Sequence, residues 1–584
     1  MKKNKMMISV ILSTLFFTAP VDAQNSRNAV KQVKINRIVS MPDMPETYEM
    51  INWREKAKSF DAYVFDWNNQ GELGPLIWKD NARRNIDQET FGLYTALGDV
   101  RQGPLHNGGE FHESLNSLAA ILGAGLVGID KTHQDGYNYV KMVQNFYNCA
   151  NGWNIVMNNT NPRVADLGGG YGRDWWYDVL PNALYYAVSD VFPHVDGSEK
   201  ILRSIAEQFT KADSVLAGNY DYSYFDYGKM RGGRSHIPYQ QDAAGGHAYV
   251  LLCAYKKFGD KRYLQHAKSA TEALLSQKES RFYEALLPLG CYTAAYLNAT
   301  EGKKYDVHKL LDWVFDGCQS PTGRTGWGII VGKWGDYDVS GLQGSITDGG
   351  GYAFLMNSIK PAWPFVPMVK YAPEYAAAIG KWMLNNASAC RLFFPQNIDT
   401  KHQWAPEYRD LTENNIAYEG LRKADDYGKY SLLGKSPVAI GDGPKWIAGN
   451  PTTSMLSVYS TSPVGILGAI VDTTDVKGIL RLDCNATDFY SQRNYPAYLY
   501  YNPYEDAQQV TYVSSRKSFD LYDIVAKEYV ARNMHSGQKI SISAKSARVI
   551  YELPAKTRLK IKNGKILANH QIISYNPKFR SILV

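Results

Sequence analysis

The chain has 584 residues, 45% of them hydrophobic, and a dispersed formal net charge of +7. A chain of this length buries a large core and is expected to hold more than one domain. It has no basic block that would suit nucleic acid, and its six scattered cysteines include no CxxC pair, which argues against both a zinc cluster and a dense disulfide scaffold.

Lys2, Lys3 and Lys5 precede an apolar run from Met6 to Phe17, and Val21-Asp22-Ala23 offers a small-residue cleavage site. The expectation is a secretory signal peptide over 1–23 with no lipobox cysteine, and hence a soluble protein exported to the periplasm or beyond. No later run is apolar enough to cross a bilayer. Residues 24–60 form a polar lead-in with one or two short helices. From 61 to 435 helical periodicity dominates, clearest at 112–127, 136–150, 176–192, 198–217, 245–258, 261–277, 284–301, 306–315 and 373–393. Helices of this number joined by long loops predict an α/α toroid, an (α/α)6-like barrel, with a non-toroidal helical array as the alternative. Over 450–584 the texture changes to strand-length segments, from VGILGAIVDTT to TRLKIKNGKILAN, with Asn563-Gly564 marking a hairpin. The fold class is therefore mainly α plus β, with a C-terminal β-sandwich-like domain.

Several loop–helix junctions concentrate acids and rings. HNGGEFHESLN holds Glu110, His112, Glu113 and Asn116, and lacks the second histidine of a zinc HExxH motif. GGGYGRDWWYDVLPNALYY carries Arg173, Asp174, Trp175 and Trp176, and adjacent tryptophans are expected to place one ring in a cleft. RGGRSHIPYQQDAAGGHAYV brings together Arg234, His236, Tyr239, Asp242 and His247, where Asp242 is either a helix cap or a site residue. Glu284 opens an apolar helix, on one face with Pro288 and Cys291, as either an exposed first-turn acid or a buried general acid. The glycine-rich stretch 326–357 suits neither an amphipathic helix nor a half-buried strand. It offers Trp334, Tyr337, Asp348 and Tyr352, with Asp348 near the start of a helix YAFLMNSI. Glu419 in TENNIAYEGLRK reads as solvated. No GxSxG elbow, P-loop or Rossmann fingerprint appears in the right context.

Rings that stack on sugars and carboxylates that move protons point to a carbohydrate-active enzyme. The leading expectation is a glycoside hydrolase whose catalytic pair lies among Asp242, Glu284 and Asp348. Arg173, Arg234 and His236 would hold an anionic substrate, and Trp175, Trp334, Tyr337 and Tyr352 would stack on it. The runner-up is a polysaccharide lyase working through His236, His247, Tyr239 and Tyr352; a non-catalytic glycan-binding protein ranks third. No cofactor is expected, although carboxylates distant in sequence could still meet around a metal. The partner is an oligosaccharide or polysaccharide, not nucleic acid or a membrane.

The segments FYEALLPLG, YLNATEGKKYDVHKLLDW, GWGIIVGKWGDYDVSGLQGSITDGGGYAF and NNIAYEGLRK resemble glycoside hydrolase family 154, a group of exported bacterial proteins. That resemblance spans nearly the whole chain after the signal peptide and implies a helical toroid, a following β-domain and β-glucuronidase activity. The architecture it implies is similar to that of the unsaturated-glucuronyl hydrolases.

Overall fold

The computed structural model describes residues 29–106, 112–161, 174–318, 327–345, 351–423, 435–446 and 448–575. It is a mixture of helices and antiparallel sheets. The helices that organise it are α1 (Trp53–Val64), α2 (Ser114–Leu126), α3 (Trp175–Val191), α4 (Ser198–Leu216), α5 (Ala243–Phe258) and α6 (Lys261–Ser276). They continue with α7 (Leu287–Glu301), α8 (Val307–Phe315), α9 (Leu355–Ile359), α10 (Ala362–Met368), α11 (Ala376–Cys390) and α12 (Val464–Ile470).

Six of these pack in a closed circuit: α2 on α3, α3 on α5, α5 on α7, α7 on α10, α10 on α12, and α12 back on α2. Helices inside a circuit are covered on every side and so need no polar face. All but two residues of α3 are buried, including both Trp175 and Trp176, so neither ring was displaced into a cleft as expected. The helices flanking the circuit have the opposite character: α4 and α6 bury one stripe and expose charged residues on the other. Where two circuit helices meet, glycine permits close approach. A Cβ on Gly245 of α5 would stand 3.2 Å from the Cα of Gly290 on α7.

Several expected elements change type. Segment 136–150 forms only Tyr139–Met142 and short 3-10 turns. VGILGAI, expected as a strand, is α12. Its apolar run fits a buried helix as well as a buried strand, and periodicity alone does not separate the two. The circuit is thus completed from within the 450–584 range assigned to β structure. Glu284 precedes α7 instead of sharing a helical face with Pro288 and Cys291.

The stretch 326–357 does form strands. β1 (Trp327–Ile329), β2 (Gln343–Ser345) and β3 (Tyr352–Phe354) join β4 (Gly420–Arg422) and β5 (Val438–Ile440) in an antiparallel sheet ordered β5-β4-β3-β2-β1. Every residue of these strands is buried, which removes the alternation that normally marks a strand. Only α9, after β3, takes up the helix expected from YAFLMNSI.

After α12 come β6 (Val471–Thr473), β7 (Leu480–Asp483), β8 (Ala497–Tyr501), β9 (Gln508–Thr511), β10 (Phe519–Asp523), β11 (Glu528–Met534), β12 (Lys539–Ile542) and β13 (Ala547–Pro554). The main sheet runs β6-β7-β8-β13-β10-β11, and β9 pairs with β12 as a separate ribbon. Tyr500, Phe519, Leu521 and Ile550 share a core with Val510, Ile540 and Ile542 of that ribbon. Leu482, Leu499, Val549 and Leu553 belong instead to the large core shared with the helices, and α11 packs on β8 and β13. The hairpin at Asn563-Gly564 joins Leu559–Lys562 to Lys565–Ala568, with both turn residues at positive φ. None of the six cysteines forms a disulfide, and only Cys149 is exposed.

Candidate active site

A cavity of about 500 Å³ opens at one end of the helix circuit, closed on one side by the five-stranded sheet. That is a ligand-sized volume. Tyr177, Tyr283, Trp327, Tyr352, Phe354 and Tyr459 supply its rings; Asp99, Glu113, Asp174, Glu284, Glu419 and Asp442 supply its carboxylates.

Four acids share one structural origin. Glu113, Asp174 and Asp242 occupy the N-cap positions of α2, α3 and α5, and Glu284 lies three residues before α7. An acid at a helix start ordinarily caps the free amides, but none of the three at an N-cap does so with its side chain. At α2 the task passes to Asn158, whose Oδ1 accepts from the Leu115 amide at 3.0 Å and the Ser114 hydroxyl at 3.2 Å. The caps are thereby released toward the cavity and its floor, with the positive ends of the helix dipoles behind them.

Glu113 is 1% exposed. Asn158 Nδ2 donates to its Oε2 at 3.2 Å, while its buried Oε1 has no protein partner. Burial outweighs this one hydrogen bond and the Arg101 charge, pushing the carboxyl up to about 7. Asp99 is held by Arg101, which donates through Nε at 2.8 Å and Nη2 at 2.5 Å. Asp174 accepts from Gln240 Nε2 at 2.6 Å.

On the opposite wall Glu419 precedes β4 and accepts from the Tyr352 hydroxyl at 2.9 Å. Burial, reinforced by the neighbouring Asp442 carboxylate, raises Glu419 to about 8. The guanidinium of Arg422 lies 4.4 Å from the Tyr352 ring centre and 4.0 Å from Asp442. Glu419 is therefore not a solvated surface acid.

Glu284 is 9% exposed and takes φ 55°, a strained conformation for a residue with a Cβ. The Tyr283 amide donates to Asp242 Oδ2 at 3.1 Å, and Gln343 Nε2 donates to the Glu284 carbonyl. Asp242 does not itself line the cavity. It is 1% exposed, and burial, reinforced by the Glu284 charge and only partly offset by that amide contact, holds its carboxyl well above the usual carboxylate range. Its contact is with the backbone amide of the residue just before Glu284.

The expected binding residues divide. Tyr352 and His236 line the cavity. Trp175 does not; it stacks on Tyr220 and Phe225 in the core. His247 is a core histidine bonded to the Tyr227 hydroxyl at 2.7 Å, and burial lowers it to about 3, so it stays neutral. Arg234 lies over the Tyr239 ring at 4.8 Å, and neither residue lines the cavity. Trp334 and Tyr337 form a small ribbon away from it, with Tyr337 packed edge-on against His402. Asp348 and Arg173 lie outside the described residues. Among the described residues no cluster of three or more metal-ligating side chains occurs.

No protein-family model and no curated protein matches the chain. Among solved structures it is similar to a β-L-arabinofuranosidase of the GH127 group from Geobacillus stearothermophilus at 11% identity, covering 90% of this chain and 85% of that one, with TM-score 0.38. An unsaturated glucuronyl hydrolase from Streptcoccus agalactiae is 11% identical over 75% of this chain and 98% of that one, with TM-score 0.32. An endoglucanase from Clostridium thermocellum is 14% identical over 91% and 100%, with TM-score 0.33. Values this low settle neither fold nor activity.

Proposed function

We propose that the helix circuit is an α/α toroid and that the cavity at its end hydrolyses glycosidic bonds, with a uronic acid, β-glucuronic acid foremost, as the sugar released. The observation that carries this reading is Glu113: a buried carboxyl facing a ring-lined cavity, with one oxygen free of protein partners and a proton affinity tuned to neutral pH. Such a group gives its proton to a leaving oxygen at the pH where the enzyme works. A glycosidase needs a second carboxylate across the bond. Glu284, held in a strained turn on the same cavity, is assigned that role, with Asp348 beyond the described residues as the other candidate. Burial and the neighbouring Asp442 carboxylate favour the protonated form of Glu419, which suits hydrogen bonds to sugar hydroxyls. Among the described residues Arg101 and Arg422 are cations that line the cavity and would face an anionic substrate. The uronate specificity rests on them and on the sequence resemblance.

The lyase alternative needs tyrosine and histidine at the reacting carbon. His247 lies in the core, and Tyr239 is outside the cavity, so two of its four residues fall away. A test is to incubate the protein with aryl glycosides and glucuronide-bearing oligosaccharides. Release of a saturated sugar supports hydrolysis, and an unsaturated product overturns it.

A further inference from the structure

Beneath the cavity lies a charge that none of the roles above uses. Lys360 follows α9 directly and is 6% exposed, with a buried Nζ that has no hydrogen-bond partner in the protein. The other buried lysines have carboxylate partners. Lys131 donates to Asp61 at 2.8 Å, and Lys370 contacts Asp488 at 2.6 Å. Lys360 instead has its Nζ 5.4 Å from the Trp176 ring centre, and that ring stacks on the cavity-lining Tyr177 at 4.0 Å.

Its segment is tied to the site by short links. The Ser358 hydroxyl of α9 accepts from the Gln343 amide at 2.9 Å, and the Gln343 side chain donates to the Glu284 carbonyl. Lys360 interacts electrostatically with both Glu284 and Glu113, which come from different walls. A buried cation with no partner is costly unless its charge acts on something nearby.

We infer that Lys360 is a positioning residue that sets the charge state of Glu113 and Glu284 from below the cavity floor. This deepens the hydrolase reading and rests on it only for the consequence in catalysis. Burial lowers Lys360 to about 7 and raises Glu113 to about 7, and in each case the charge of the other opposes the effect of burial. The charged and titratable groups around them are Asp99 and Arg101 beside Glu113, Asp242 behind Glu284, and Tyr352, Glu419 and Arg422 on the sheet. Asp174, Asp442 and Tyr459 also line the cavity among the described residues, and on α11 Cys390, whose thiol burial raises, contacts Asn386, which donates to the Ser358 carbonyl.

The test is a pH titration of the protonated-carboxyl infrared band in the full-length protein, read with the pH profile of kcat/KM. Glu113→Gln identifies the band that belongs to Glu113. In Lys360→Met, which keeps length without charge, that band should persist to higher pH by roughly one unit, because a nearby cation favours the carboxylate. The kinetic limb that follows it should move the same way, and Lys360→Arg should restore both. If Lys360→Met fails to fold, Lys360→Gln takes its place. A band midpoint unchanged in the folded variant overturns the inference. Absence of turnover on any glycoside would defeat the hydrolase reading while leaving the infrared result intact.

Discussion

The amide of Tyr283 donates to Asp242 at 3.1 Å, and the next residue, Glu284, turns into the left-handed region to face the cavity. Burial pushes the Asp242 carboxyl well above the usual carboxylate range and so favours its neutral form, which can still accept that amide. Asp242→Asn should therefore retain most of the fold stability and activity. Asp242→Ala removes the acceptor, leaves a buried amide unpaired at a cost of about 1–3 kcal/mol, and releases Glu284. Paired thermal melts and rate measurements check this; equal loss of activity in both variants would return Asp242 to the chemistry.

Glu113 also makes a stability prediction. Its folded value is raised from 4.5 to about 7, so the folded state binds the proton more tightly than the unfolded one. Stability from this group is full below the unfolded value and falls as pH rises through the folded one. Glu113→Gln does not share the loss, and its advantage over the unsubstituted protein should grow to about 3 kcal/mol between roughly pH 5 and pH 8. Denaturant melts at the two pH values measure it.

The helices were legible because their periodicity is long and strong: expected spans at 198–217 and 261–277 are observed as Ser198–Leu216 and Lys261–Ser276. The circuit helices and the cavity sheet were harder, since a fully buried element loses the polar face that reveals its period. That is why α12 read as a strand and 326–357 as neither. In the site, spacing alone leaves Asp242 as a helix cap or a site residue and Glu284 as an exposed first-turn acid or a buried general acid. What separates the readings is whether the cap bond forms, and no local pattern shows that Asn158 takes over at α2. Glu113 stands among the junction acids but outside the expected catalytic pool, and Glu419 reads as solvated because surface acids are the rule. Only the pairing of β4 with β3 brings it under Tyr352.

Asp488, on the loop between β7 and β8, is inserted among the helices. It accepts from the Tyr292 hydroxyl at 2.5 Å and the Tyr371 hydroxyl at 2.8 Å, with Lys370 and Lys256 beside it. These cations and donors overcome burial and hold its carboxyl well below the usual 3.8. A depressed value contributes stability above the unfolded value that fades as pH falls through the folded one. Asp488→Asn leaves two buried lysines underpaired and should cost about 3–5 kcal/mol at neutral pH, less in acid. The pH dependence of the difference in Tm tests it.

The cavity sheet depends on one close approach. A Cβ on Gly344 of β2 would stand 1.9 Å from the Tyr352 carbonyl of β3. Gly344→Ala should cost about 3 kcal/mol or more by forcing these strands apart. Gly259→Ala, at φ +71° with open space around it, should cost only about 1–2 kcal/mol. Comparing the two melts separates crowding from backbone strain.

The most direct test of the account follows products from a glucuronide-bearing oligosaccharide with the unsubstituted protein and with Glu113→Gln. The account predicts a saturated uronic acid from the former, and a rate lower by roughly 10²–10⁴-fold from the latter with its thermal melt preserved. An unsaturated product, or turnover undiminished in a folded Glu113→Gln, would contradict it.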